Sequence, residues 1–346
     1  MLLQLSLLGA LFFADTLPFP FDPVEASFGR QIEGEETWTR TRGRFTYRFA
    51  SAETAAIFDA DPSSFEIQLG GSCARMGPLS GVGDPSIYTV YQGRIYIFAS
   101  EDCRAGFLDA PQKRLLRAEP KPRPNAEAVR KGRGYLARAI QRVGGKQALR
   151  ELQSLHLTDH RTQGEGESAS TVRTELYFDM EGNASWIQTS GDGERSAHIR
   201  GEVGTLVAGD DVFPLSPSQR RAILHKLHGE PLWLLSQRNA GAFQCWAEPD
   251  LGNRYVLACY LDGMTTRLLL APDGEIVGTL RRDRDPAVGF TEVRSEFAEA
   301  VPLGPLQVPL ERKAWVKATP SPALDRHWNQ HSFNAAAPEV PPLPKR

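Results

Sequence analysis

The apolar positions of the chain change their spacing several times, and each change marks an element. In Gly43-Arg44-Phe45-Thr46-Tyr47-Arg48-Phe49-Ala50-Ser51, Phe45, Tyr47 and Phe49 alternate with Thr46 and Arg48, which predicts a strand. Ser51 stands where a helix N-cap belongs, with acidic Glu53 in the first turn. The helix is expected to run to about Ala60 and to stop before Asp61-Pro62. Gly93-Arg94-Ile95-Tyr96-Ile97-Phe98-Ala99-Ser100 repeats this grammar, with Glu101 and Asp102 after the cap and Pro111 as the stop. Tyr47, Phe49, Ala50, Ser51, Phe58 and Pro62 recur 49 residues later as Tyr96, Phe98, Ala99, Ser100, Phe107 and Pro111. Neither unit is long enough to bury a core alone, so the two are expected to pack on each other.

Beyond residue 116 the spacing becomes helical. Val129, Leu136, Ile140 and Val143 predict a helix from Ala126 to Val143, ended by Gly144-Gly145 and followed by a short turn of helix from Lys146 to Leu152. From Leu155 alternation returns. It predicts strands at 155–161, 171–179, 184–190, 196–200 and 204–207, separated by turns such as Glu181-Gly182-Asn183 and Gly191-Asp192-Gly193. One helix interrupts them, with Ser216 as N-cap, Pro217 at the first position and Ile223, Leu224 and Leu227 on its apolar face. Strands resume at 243–248, 255–261, 265–271, 275–282, 290–297 and 310–316, with Pro272-Asp273-Gly274 as a hairpin turn. Antiparallel strands, a helix, then more antiparallel strands imply a large curved sheet with a helix across it. The fold class is therefore α+β: a small N-terminal α+β domain, then an antiparallel β half-barrel with helices packed on it.

At 346 residues, two domains is the natural division. Residues 18–116 form the first, with 18–30 as an extended lead-in. Residues 117–134, rich in proline and basic residues, read as a linker running into the helix. Residues 135–318 form the second domain, and 319–346, poor in large apolar groups, are expected to be disordered. Met1 to Ala14 is an apolar run too short to span a bilayer, and it reads as a secretory signal. The expected location is periplasmic or secreted. No later segment approaches membrane-spanning length. The net charge of −2 gives no reason to expect a nucleic-acid or anionic-membrane partner.

Candidate chemistry is sparse. Nucleophile-elbow, phosphate-loop, dinucleotide and HExxH motifs are all missing, so no catalytic residue is assigned and the chain is not expected to be an enzyme. Cys103 falls in the first turn of the second unit's helix, where the partial positive charge favours a thiolate, and Cys73 follows the Gly70-Gly71 turn between the units. Packed together, these sulfurs suit Cu(I) or Zn(II), with Met76 as a possible thioether ligand. A structural disulfide and two inert thiols are the other readings. Cys245 and Cys259 lie on consecutive strands joined by a short loop, where a disulfide is a possible cross-strand link. His156 and His160 share a strand face. His225 and His228 are three apart on the helix, a spacing that can share a metal but more often marks a solvated face. His327 and His331 fall in the expected disordered tail.

Two resemblances add to this. The Tyr47-Arg48-Phe49-Ala50-Ser51 strand end, the short helix to Asp61-Pro62, Gly70-Gly71-Ser72-Cys73-Ala74 and the second Gly93-Arg94-Ile95-Tyr96 strand together resemble a YHS domain over about residues 20 to 115. The resemblance implies a small α+β module for which copper or other heavy-metal binding is proposed. Tyr47 and Ser51 match the positions that give the family its name, whereas Arg48 and Phe49 leave no histidine in the motif. The C-terminal pattern is similar in architecture to the LolA/LolB lipoprotein-carrier fold, an incomplete barrel with helices plugging its concave face.

The leading expectation is a non-enzymatic exported binding protein whose YHS-type module handles or senses copper or zinc. The alternatives are a carrier or sensor of an apolar ligand such as lipid on the half-barrel, and a structural or interaction protein without a small-molecule ligand. The carrier reading requires an apolar concave face open to solvent.

Overall fold

The computed structural model describes residues 16–163, 170–191, 193–285 and 287–343; the expected leader, 1–14, lies outside them. Alternation in the first unit becomes strand β3 (Phe45–Phe49). It is flanked by β1 (Leu17–Pro18), which runs parallel to it, and by antiparallel β2 (Glu35–Arg42). The lead-in is not wholly extended. Asp22, fully buried, caps α1 (Pro23–Ser27) through the Val24 N–H at 2.8 Å and also accepts the Ala50 N–H at 2.8 Å, so one carboxylate pins the lead-in to the strand end. Ser51 caps α2 (Ala52–Ala60) in a reciprocal capping box with Thr54. Pro62 then opens α3 (Pro62–Phe65).

The second unit supplies β4 (Asp84–Tyr91) paired with β5 (Arg94–Phe98), then α4 (Glu101–Leu108), capped by Ser100, and α5 (Pro111–Arg114). Strand β5 joins the two units. Ile95 and Ile97 pack into the cluster of Phe45, Tyr47, Phe49 and Phe58, while Tyr96 and Phe98 pack with Cys73, Ala74 and Phe107. Period-two alternation thus places one strand between two small cores.

Helix α6 (Ala126–Arg142), capped by Asn125, and α7 (Gly145–Glu151) lead into the second half of the chain. Six strands follow: β6 (Ser154–Gln163), β7 (Ser170–Asp179), β8 (Ala184–Ser190), β9 (Gly193–Arg200), β10 (Val203–Ala208) and β11 (Asp211–Pro214). Then come α8 (Pro217–Leu227) and α9 (Pro231–Ser236). The strands resume as β12 (Gln244–Leu251), β13 (Arg254–Leu261), β14 (Met264–Leu270), β15 (Ile276–Asp285) and β16 (Gly289–Phe297). The remainder are β17 (Val301–Leu303), β18 (Leu306–Val308), β19 (Glu311–Val316), β20 (Thr319–Pro320) and β21 (Arg326–Phe333).

All of these except the β17–β18 hairpin belong to one fourteen-stranded antiparallel sheet, in the order β11-β10-β9-β8-β7-β6-β21-β19-β16-β15-β14-β13-β12, with β20 on β19. The architecture is α+β, dominated by this large antiparallel sheet. Its helix-covered face is apolar: Leu155, Leu157, Leu176, Phe178, Trp186 and Ile199 from one half meet Leu257, Leu261, Leu268 and Leu270 from the other. Ile223 and Leu227 of α8 and Leu232 to Leu235 of α9 fill the space between.

Residues 319–346 were expected to be disordered, but 326–333 form β21, which lies between β6 and β19 and joins the two halves of the sheet. Its side chains are mostly exposed, and Trp328 is the buried one. Composition reads such a segment as coil, while Arg326 and His327 pair with β19 and the stretch from Trp328 to Phe333 pairs with β6.

Each of the sheet's two edge strands meets another element. Helix α6 runs along β12, with Ala128 and Val129 on Trp246, Ala258 and Tyr260 of one face and Tyr135, Ala139 and Ile140 in the main core. The close approach depends on Gly132, where a Cβ would stand 2.4 Å from the Trp246 Cα. At the other edge the turn before β3 reaches β11, with the Arg44 guanidinium 4.1 Å over the Phe213 ring. Helix α6 thus shields the β12 edge, one of the ways a sheet blunts an edge strand, while β11 stays half-exposed. Replacing Gly132 with Val, whose small gain in helix propensity over Gly is outweighed by the clash, should destabilise the protein by about 1–3 kcal/mol, the usual cost of overpacking. Urea unfolding checks this, and a midpoint equal to that of the parent would show that α6 does not press on β12.

Candidate functional site

Helix α8 crosses the interior of the sheet domain, and a buried polar cluster holds its C-terminal end. Last-turn carbonyls of a helix have no partner inside it. Here three strands provide them. Arg281 on β15 donates through Nη1 to the His225 carbonyl at 2.7 Å, Thr266 on β14 donates to that of His228 at 3.1 Å, and Arg312 on β19 donates to that of Gly229 at 3.4 Å. Two cations at a helix C-terminus also complement its dipole. Asp283 balances them: it pairs with Arg281 and lies 3.3 Å from the His225 Nε2. Burial by itself would raise the Asp283 carboxyl, but Arg281 and the His225 hydrogen bond outweigh it and hold the group well below the usual carboxylate range. Glu230 lies 3.8 Å from Arg312.

The two histidines of α8 are therefore buried, not on a solvated face. His228 packs on the Trp233 ring at 4.8 Å, and burial pushes it down to about 3. The other sequence-singled histidines are apart from this cluster. His156 meets Glu175 at 2.7 Å, and His160 meets Asn329 at 3.1 Å on the exposed side. His198, which no spacing in the sequence marks, sits between the Ser185 and Ser196 hydroxyls at 2.8 Å each, and burial lowers it to about 4.

The structure brings Cys73 and Cys103 together. Cys73 is buried among Ala74, Tyr96, Phe98 and Phe107, and Cys103 packs against the same cluster. Burial pushes the Cys73 thiol up; the Ala99 and Met76 N–H groups, which favour the thiolate, act against this and only partly offset it. Arg284 of β15 reaches the same place, donating to the Arg75 carbonyl, and the Cys73 charge is among the groups it senses. Met76 is not part of the cluster: it is 53% exposed. Among the described residues no group of three or more His, Cys, Asp or Glu side chains is placed to hold a metal. Two thiols alone fall short of the four ligands of a structural zinc site. Cys245 and Cys259 face each other directly across β12 and β13. All four thiols are free. Facing residues on antiparallel strands have Cα atoms about 4.5–5.5 Å apart, a span that a disulfide can bridge. We propose that oxidation links this pair.

Two further features escaped the sequence reading. One is α9, whose four consecutive apolar residues, Leu232 to Leu235, carry no helical periodicity to find. The other is a cleft of about 620 Å³ between the N-terminal units and the sheet, lined by Arg44, Phe45, Phe213, Ser216 and Gln219 among others. Its walls come from segments more than 100 residues apart in the sequence.

No protein-family model matches the chain, and no curated protein matches it. Among solved structures it is similar to a DUF1329 family protein from Desulfovibrio piger, at 11% identity and a TM-score of 0.38, over 62% of this chain and 96% of that one. It is also similar to the LolA superfamily protein NE2245 from Nitrosomonas europaea, at 11% identity and a TM-score of 0.38, over 61% and 96%. A third is a putative outer membrane lipoprotein-sorting protein domain from Vibrio parahaemolyticus, at 10% identity and a TM-score of 0.37, over 61% and 95%.

Two tests follow from this geometry. If Cys73 and Cys103 bind Cu(I), the parent protein should take up one equivalent and the Cys73→Ser, Cys103→Ser double variant none. Equal uptake by both, or none by the parent, removes the metal reading. The second test concerns pH. His198 and His228 have folded-state values depressed below the ordinary 6.5. Their stabilising contribution is thus complete above pH 6.5 and is lost as pH falls towards 4 and 3. The urea midpoint should drop between pH 6.5 and pH 4, and His228→Phe should flatten that drop.

Proposed function

We propose that the chain is a non-enzymatic binding protein that carries or senses an apolar ligand on the helix-covered face of its large sheet. One observation carries this reading. Helix α9 brings Leu232, Trp233, Leu234 and Leu235 into the centre of the main core, each no more than 5% exposed, yet it is six residues long and has no side-chain N-cap. A helix that short has negligible intrinsic stability, so packing alone keeps it in place. An apolar ligand of similar size would replace those contacts at little net cost. Helix α8 does not share this freedom, because strands β14, β15 and β19 hold its end. The hinge between the two is Gly229-Glu230. The carrier reading required an apolar face open to solvent; that face is filled by α8 and α9, so the proposal rests on α9 being displaceable.

No sequence motif for catalysis stands against this reading, and the buried Asp283–His225 pair is committed to holding α8. The metal reading has less behind it, since Met76 turns away from the two thiols.

The test is native mass spectrometry of the protein purified from its own compartment, together with titration by N-phenyl-1-naphthylamine. The expected result is co-purified lipid, and probe fluorescence that rises on binding and is displaced by a long-chain fatty acid. Hydrogen exchange at 231–239 should be faster than in α8. A protein without lipid that takes up no probe overturns the proposal.

A further inference from the structure

We propose that the cleft between the N-terminal units and the sheet domain is a second, separate binding site, one for an amphipathic oxyanion: a phosphate or carboxylate head on an apolar body. Its volume of about 620 Å³ falls in the range of small-molecule sites, about 300–1,000 Å³. Phe45, Leu206, Phe213 and Leu215 supply apolar wall, and four arginines reach it, Arg42, Arg44, Arg94 and Arg221, against Glu66.

The arginines differ in what they are already bound to. Arg42 lies 3.6 Å from Glu66, and Arg94 donates to the Ser63 carbonyl at 2.9 Å. Arg44 and Arg221 have no carboxylate within ion-pair distance and make no side-chain hydrogen bond among the described residues. Arg44 is the more telling. Its guanidinium is stacked on Phe213, burial lowers its pKa, and Asp211 compensates from a distance only. A guanidinium offers five donors in a fixed fork that matches an oxyanion. Desolvating one without giving it an acceptor is costly, and a bound anion would repay that cost.

Two independent features converge on the same place. The N-terminus of α8, an eleven-residue helix, opens into the cleft through Ser216, Pro217 and Ser218, so the positive end of its dipole faces the same volume. Gln219, only 1% exposed, lines the cleft as well. Its Oε1 accepts the Ser216 N–H at 2.9 Å, while its Nε2 has no partner among the described residues. A buried amide donor left unpaired is costly, and an acceptor in the cleft would relieve it. Gly70, with φ +63°, permits this arrangement, since a Cβ there would stand 2.4 Å from the Gln219 Oε1. The Arg44 guanidinium, the helix terminus and the Gln219 amide are all donors, and all three line the same cleft.

Isothermal titration of the full chain tests the site with three probes: sodium phosphate, dodecyl phosphate below its critical micelle concentration, and neutral dodecyl maltoside. Dodecyl phosphate should bind at least tenfold more tightly than either of the others, and its affinity should fall as salt rises. The Arg44→Gln, Arg221→Gln double variant should lose at least tenfold in affinity while keeping its melting temperature and its uptake of N-phenyl-1-naphthylamine. Arg44→Lys, which keeps the charge but not the fork, should fall between the two. Phosphate binding as tightly as dodecyl phosphate would assign the site to a free anion and overturn the amphipathic part. Maltoside binding as tightly would overturn the oxyanion part. Dodecyl phosphate affinity unchanged in the double variant would overturn the site altogether. Because naphthylamine reports on the α9 face, either proposal can fail while the other stands.

Discussion

The end of helix α8 is the point on which the rest of the sheet domain depends. Three unsatisfied carbonyls there would be intolerable in an apolar interior, where each orphaned polar group costs about 1–3 kcal/mol. Arg281, Thr266 and Arg312 satisfy them from three different strands. Bringing two guanidinium groups into a protein interior is itself costly, and Asp283 and Glu230 make it tolerable. The result is a fixed reference inside the sheet. Leu227 and Ile223 then set one part of the core, and the apolar run Leu232 to Leu235, beyond the Glu230 ion pair, is left to pack by shape. Rigidity and replaceability thus sit on either side of a single glycine.

The same division organises the edges. Helix α6 shields the β12 end of the sheet, and the N-terminal units reach its β11 end. The N-terminal pair of strand-and-helix units is tied to the sheet domain by Arg114 on the Ala287 carbonyl, Arg284 on that of Arg75, and the Glu119 N–H on that of Gly263. Those ties are backbone acceptors met by long side chains or by main chain, which fix position without demanding a large apolar interface. A cleft with apolar and basic walls remains between the two bodies.

Much of this fold was legible in the sequence, because it is written in local chemistry. Ser51, Ser100 and Ser216 announced their helices, and each accepts the expected N–H. Alternation located the strands, and Ala184–Ser190 falls where it was read. The parts that were not legible have non-local causes. Strand β21 has the composition of a coil and exists because β6 and β19 complete its hydrogen bonds. Helix α9 is a run of apolar residues whose helical state is decided by the pocket it fills. Met76 follows Cys73 closely in sequence, yet its backbone N–H donates to the Cys73 carbonyl at 2.9 Å and its side chain turns to solvent. His225 and His228 looked like a surface pair because helical spacing says nothing about which face is buried. No single segment carries the cleft at all, since it is made by docking.

The position of β21 also sets an order of events. The β6–β11 run and the β12–β19 run share one core, but their backbone ladders are joined through this strand, which pairs Phe333 with Leu155 and His327 with Glu311. A ribosome must therefore make everything through β21 before the two runs can be joined. Contacts spanning so much chain close slowly. Until then two separate sheets wait with one unpaired border each, at β6 and at β19. The nascent protein thus has a built-in delay, a window in which a chaperone or a transport machinery meets an incomplete sheet and not a finished one.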